Sequence, residues 1–92
     1  MKITCDPEKR AATLATRGLD MKSDARAVFA GDTLTVEDDR HDYGEARFIT
    51  IGFVSGRMVL VAWTVRDGTR RIISMRKANA REQAKYAGRF SD

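Results

Sequence analysis

Two turn pairs, Ser55-Gly56 and Asp67-Gly68, constrain this chain more than any other feature. Each lies between runs rich in β-branched and aromatic residues, the pattern of a two-residue hairpin whose backbone must turn left-handed. Glu45 to Ala78 therefore reads as three strands in a meander, and such turns set the register by counting outward. Arg47 then faces Thr64, and Thr64 faces Arg71. Phe48, Trp63 and Ile72 form the next row on the opposite face, followed at steps of two by Thr50, Val61 and Ser74, then Gly52, Val59 and Arg76. The count gives one face to Ile49, Ala62, Ile73, Ile51, Leu60, Met75, Phe53 and Met58, with Arg47 and Arg71 at its polar end. That face is expected to take the N-terminal helices. Arg76 and Trp63 fall on the other face, which is expected to be half-open or covered by the last helix.

The segments around the meander are marked by caps. Lys2 to Cys5 can form a short edge strand. Asp6-Pro7 starts a helix, because aspartate accepts from free N–H groups and proline at the first position sacrifices no bond. This helix should reach Arg17, with Ala11, Leu14 and Ala15 as a slight apolar side, and stop at Gly18. Asp20 can cap a second helix in which Met21, Ala25, Val28 and Phe29 form one stripe, ending at Gly31. Thr33 to Asp38 reads as a strand, and Asp39 to Gly44 as an acidic loop. Asn79 followed by Glu82 resembles a capping box, so a short last helix should cover Ala80 to about Ala87. Consecutive strands flanked by helices predict an α+β fold, with two N-terminal helices on a four-stranded antiparallel sheet and a short C-terminal helix.

A chain of 92 residues with 42% hydrophobic and 33% charged residues suits one globular domain, residues 1–92, with a small core. The single cysteine, Cys5, cannot close an internal disulfide, which suits a reducing cytosol. No apolar run approaches the roughly 20 residues of a membrane span, and the N-terminus lacks a signal-peptide pattern. The expectation is a cytoplasmic protein without a membrane partner. Net charge is +4, and arginine supplies 12 of the 17 basic residues. Residues 66–81 carry six basic side chains against Asp67, whereas residues 32–45 carry six acids against Arg40. An arginine-rich segment fits a phosphate partner, because the guanidinium fork takes two oxygens at once; intramolecular pairing is the plain alternative.

One histidine and one cysteine offer no zinc-type spacing. A Mg²⁺ site among Glu37, Asp38, Asp39, Asp42 and Glu45 is conceivable, but the loop lacks the glycine-centred calcium pattern. No metal or cofactor is expected. The remaining equipment is His41, Glu45, Arg47, Arg71 and Arg76, with Tyr86 reaching in from the last helix. RNA carries its own nucleophile, so cleavage through the 2′-hydroxyl needs a base, cations to stabilise the phosphorane and an acid for the leaving oxygen. Histidine or glutamate fits the base, arginine the cations, and histidine or tyrosine the acid. Trp63, Thr64 and Arg70 stand beside these residues as candidate substrate contacts, with Tyr86. Each has a structural alternative: His41 as a solvated loop residue, Glu45 paired with Arg47 or Arg71, Arg76 paired with Glu82, and Trp63 in the core. A non-enzymatic nucleic-acid-binding or partner-binding module is the alternative function.

Several stretches together resemble the BrnT family of bacterial toxins. They are Asp6-Pro7, Gly18-Leu19, Val28-Phe29, Glu37-Asp38, His41, Glu45-Ala46-Arg47-Phe48, the Gly52 strand, Arg71 through Ala78, and Glu82 through Tyr86. The most specific pieces are Glu-x-Arg-Phe at one strand start and Arg-Ile-Ile-Ser-x-Arg-x-Ala at another strand's end. The resemblance implies a type II toxin–antitoxin system: a ribonuclease of RelE-like fold that cuts RNA and halts translation. It also implies a BrnA-type antitoxin that silences the toxin in a hetero-oligomer and binds DNA. The chain departs from the family pattern at Thr16-Arg17, where Lys-His is common, and at Ile3, Thr4 and Cys5, where aromatic residues are usual.

Overall fold

A computed structural model of the chain describes residues 1–90. The elements run β1 (Ile3–Cys5), α1 (Pro7–Arg17), α2 (Ser23–Ala30), β2 (Leu34–Glu37), β3 (Arg47–Val54), β4 (Arg57–Arg66), β5 (Thr69–Lys77) and α3 (Ala80–Ala87). Both hairpin turns are left-handed at their two central residues: φ is 50° at Ser55 and 77° at Gly56, 51° at Asp67 and 71° at Gly68. These primed turns match the strand twist and lock the predicted pairs Arg47–Thr64–Arg71 and Phe48–Trp63–Ile72.

The sheet has five strands in the order β1-β5-β4-β3-β2, with β1 parallel to β5, and not the four antiparallel strands expected. Ile3 to Cys5 pairs with Arg70 to Ile72 because the outer edge of β5 would otherwise be bare, and Ile3 gains a place in the core. Where β1 ends, the Arg17 guanidinium donates to the Met75 carbonyl at 2.9 Å and covers the next part of that edge. Arg17 thus has a structural use.

A β-bulge changes the expected rows beyond Trp63. Trp63 pairs with Ile72 but Ala62 pairs with Ser74, leaving Ile73 as the extra residue. Val61 therefore faces Met75, Val59 faces Lys77, and Leu60 faces Arg76. The shift lets both Ile72 and Met75 enter one core at 1% and 0% exposure, which strict alternation forbids. It also moves Arg76 to the face of Ala62, Thr64, Arg47 and Arg71, the reverse of its expected placement.

α2 and α3 also sit on the faces opposite to those expected. The Trp63 face, with Val59, Val61, Ile72 and Met75, packs against Met21, Ala25 and Val28. Gly52 makes this possible. A Cβ there would lie 2.7 Å from Val28 Cγ1, so α2 can approach β3 closely only over a glycine. Gly52→Ala is expected to cost about 1–3 kcal/mol through overpacking; a urea midpoint equal to the wild type would show that α2 shifts freely. The predicted stripe Met21, Ala25, Val28 and Phe29 does face the core, although α2 starts at Ser23 and Met21 lies in the turn before it; the apolar side of α1 is not packed, since α1 buries no residue and Leu14 is 50% exposed. α1 is tethered by polar contacts instead, Arg10 forking onto Asp20 at 2.9 and 3.0 Å and Arg17 reaching the Met75 carbonyl, while Asp6 caps its first turn.

The opposite face carries a second cluster, Ile51, Met58, Leu60 and Ala78, covered by Tyr86 and Phe90. Met58 and Met75 are both core, as expected. α3 starts at the predicted capping box: Asn79 Oδ1 accepts from Glu82 N–H at 2.8 Å, and Glu82 Oε1 accepts from Asn79 N–H at 2.9 Å. No helix among the described residues is long and apolar enough to cross a membrane.

Candidate functional site

Because α3 docks at the Met58–Leu60 end, the sheet beyond it is left as the floor of a cleft of about 370 Å³. Ile49, Leu60 and Ala62 line the floor, Ser74 and Arg76 come from β5, and Glu82, Lys85 and Tyr86 from α3. The opposite wall is the end of β2 and the loop after it, Glu37 to Arg40. The row Arg47, Thr64, Arg71 lies two residues along the strands from Ile49 and Ala62, about 7 Å at ~3.3 Å per residue.

Three predicted cations thus share one face, each held differently. Arg76 forks onto Glu82 at 2.8 and 2.7 Å. Arg47 lies 3.9 Å above the Tyr43 ring, and its Nε reaches Glu45 at 3.4 Å. Arg71 is half-buried, and its guanidinium has no hydrogen bond or ion pair among the described residues. Glu45 is held chiefly by Arg66, at 3.2 and 2.9 Å. Arg66, then Arg47, draws its carboxyl below the ordinary value, so Glu45 stays charged and is a weak base near neutral pH. Extending the turn count two residues beyond Arg47 and Thr64 places Glu45 opposite Arg66, a signal available in the sequence. Arg40 forks onto Asp38 at 2.8 and 3.0 Å, and the Tyr43 hydroxyl donates weakly to the same carboxylate at 3.4 Å. His41 is exposed, with its ring edge-on to Tyr43 at 5.7 Å, so His41 and Arg47 flank one aromatic ring.

The Arg76–Glu82 pair has a pH signature. Arg76 and then the Asn79 N–H hold the Glu82 carboxyl down from 4.5 to about 2. A carboxylate depressed in the folded state contributes its full stability above pH 4.5 and loses it as pH falls towards 2. Glu82→Gln keeps the cap but removes the charge, with an expected cost on the order of 1 kcal/mol at neutral pH. Stability followed by urea unfolding should then fall less steeply below pH 4.5 than in the wild type; parallel acid limbs would show that the pair contributes nothing.

Of the predicted substrate contacts, Trp63, Thr64 and Arg70 do not open onto the cleft. Trp63 is 8% exposed on the opposite face, packed on Phe29 and Phe48 with its Nε1–H on Thr50 Oγ1 at 2.8 Å, so its ring is not available for base stacking. Thr64 is buried, and its hydroxyl donates to the Ala46 carbonyl at 2.6 Å. Arg70 lies on the Trp63 face, between the Phe29 and Trp63 rings at 3.7 and 4.6 Å, where burial draws its pKa down. Tyr86 does line the cleft, beside Lys85. Arg40 and Lys85 were not among the predicted residues, since neither loop arginines nor exposed helix lysines carry a distinguishing pattern. Among the described residues no three His, Cys, Asp or Glu side chains converge as a metal site, so the conceivable acidic set does not assemble.

The fold is thus an α+β protein with the guanidinium groups of Arg47, Arg71 and Arg76 on one open sheet face. Residues 5–82 match the family described as ribonuclease toxin, BrnT, of type II toxin–antitoxin system. The chain belongs to that family, and membership implies an antitoxin partner. No curated protein matches the chain.

Proposed function

We propose that the chain, folded as one domain on a RelE-like plan, is a metal-independent RNA endonuclease that halts translation in the cytoplasm. A BrnA-type antitoxin silences it in a hetero-oligomer that binds DNA through the antitoxin. The observation that carries this reading is the sharing of one open face by Arg47, Arg71 and Arg76. Guanidinium groups there supply the positive charge that a divalent ion would otherwise bring. In the reaction, His41 takes the proton of the 2′-hydroxyl and O2′ attacks phosphorus. The O2′–P bond forms as the P–O5′ bond breaks, and the departing oxygen takes a proton from Tyr86. The products are a 2′,3′-cyclic phosphate and a 5′-hydroxyl. Arg47 and Arg71 stabilise the extra charge on the phosphorane, and Arg76 holds the neighbouring phosphate. Glu45 orients Arg47 and is the second choice as base, because its two arginines keep it weakly basic.

Comparing the two sides of the molecule tests this assignment. Arg47→Ala/Arg71→Ala should lose RNA cleavage, whereas Lys2→Ala/Arg26→Ala, which removes the same charge from exposed positions elsewhere, should retain it. Equal losses in the two double variants would mean that net charge, and not this face, governs activity.

A further inference from the structure

The two edges of the sheet are finished differently. The outer edge of β5 is covered by β1 and then by the Arg17 guanidinium on the Met75 carbonyl. β2 forms the other edge and pairs only with β3. Its register shows which backbone groups are left over. Asp38 N–H donates to the Arg47 carbonyl at 2.8 Å, so hydrogen-bonded pairs recur at every second residue, at Val36–Ile49 and Leu34–Ile51. The N–H and C=O of Thr35 and Glu37 therefore point away from β3, as half of a ladder without its second strand. Proline, lysine and bulges are common devices for blunting such an edge, and none interrupts β2. Thr35, Val36 and Glu37 are all exposed.

An added strand is the occupant that fits this edge, and charge decides whose strand it is. Residues 32–39 carry four acids and no base. Asp38 is taken by Arg40, whereas the carboxylates of Asp32, Glu37 and Asp39 have no hydrogen bond or ion pair among the described residues. A second copy would bring the same acids to the seam, and like charges on neighbouring strands repel. A segment with lysine or arginine at its ends is attracted instead. Family membership implies one partner protein, the antitoxin. Val36 shows what its docking here would do: the side chain is 41% exposed and lines the cleft wall, so a strand laid on β2 also crowds the entrance to the arginine face.

We infer that β2 is the docking edge for the antitoxin, which adds an extended, basic-ended segment to the sheet as an outer strand. This rests on the toxin–antitoxin reading above, and the experiment separates the two. Full-length BrnA-type antitoxin is titrated against the wild-type chain, Thr35→Pro and Glu37→Lys/Asp39→Lys, and amide exchange is followed in the wild type, free and bound. Proline at 35 removes an outward N–H and no bond to β3. It should weaken binding about ten-fold, the scale of one lost backbone hydrogen bond. The charge reversal, on exposed side chains that the fold does not use, should weaken binding in low salt and less in high salt. Amides 35 and 37 should exchange more slowly in the complex. Full-strength binding by both variants, folded by their melting curves, or amides 35 and 37 that exchange equally fast free and bound, would overturn the docking edge and leave the antitoxin standing. A chain that dimerises alone with those amides slowed would seat a second copy there and overturn it as well. An antitoxin that fails to bind the wild type would remove the toxin–antitoxin reading, and the role of this edge with it.

Discussion

Arg71→Ala should cut RNA about 100- to 1,000-fold more slowly than the wild type, the usual consequence of removing one donor aimed at developing negative charge. Its thermal midpoint should stay within a few degrees of the wild-type value. The second expectation follows from the first structural fact about this side chain: its guanidinium is paired with no carboxylate among the described residues, so truncation strands no buried charge. Arg76 offers no such clean test. Removing it would leave Glu82 without the guanidinium that holds it at 2.7 and 2.8 Å, mixing a stability loss into the rate. Arg71 is the better probe because it is kept free. Single-turnover cleavage with a parallel melting curve measures both quantities; a folded Arg71→Ala that cuts normally would show that Arg71 takes no part in the chemistry.

The largest effect on stability should come from Trp63, which the sequence leaves open as a substrate contact or a core residue. Trp63→Ala is expected to cost about 3–5 kcal/mol, a large share of the roughly 5–15 kcal/mol that holds a small domain together. The ring fills the core beneath α2, touches Phe29 and Phe48, and forms one of the two aromatic faces around Arg70. Trp63→Phe should keep the fold at a smaller cost. Thr50 then loses its indole donor, but its hydroxyl remains bonded to Thr35 at 2.7 Å. Urea unfolding measures the two costs, and cleavage assays separate the roles: Trp63→Phe should cut RNA at close to the wild-type rate. Loss of cleavage in a well-folded Trp63→Phe would return the indole to the site.

The parts of this fold that local chemistry dictates are legible in the sequence. Ser55-Gly56 and Asp67-Gly68 demand left-handed turns and so align Arg47, Thr64 and Arg71. Asp6 and Asn79 cap helices at the expected positions. The bulge is not legible from turn counting, since a register counted outward assumes unbroken pleats. Its trace is the adjacent pair Ile72-Ile73 followed by Met75, which no single alternating face can bury. Missing that one residue inverts the position of Arg76, and with it the judgement of which arginines can act together. The exchange of helix faces has a similar origin. Both sheet faces are apolar enough to take helices, and the deciding signal is an absence of side chain, at Gly52 beneath Val28. The parallel strand β1 depends on tertiary pairing with β5, which the three residues Ile3 to Cys5 do not specify by themselves. Of the candidate residues, the pairing of Arg47 and Arg71 across Thr64 is legible from the turn count and the side on which Arg76 stands is not, while exposure separates Tyr86 and His41 from the buried Trp63 and Thr64.

The central claim is that arginines, and not a bound metal, supply the positive charge for cutting RNA. Incubating the purified protein with single-stranded RNA in excess EDTA and analysing the product ends tests it most directly. Undiminished cleavage with 2′,3′-cyclic phosphate and 5′-hydroxyl ends is expected. Cleavage abolished by EDTA and restored by Mg²⁺ would contradict the metal-free mechanism, and RNA that is bound in a salt-sensitive manner but remains whole would leave a nucleic-acid-binding module in place of an enzyme.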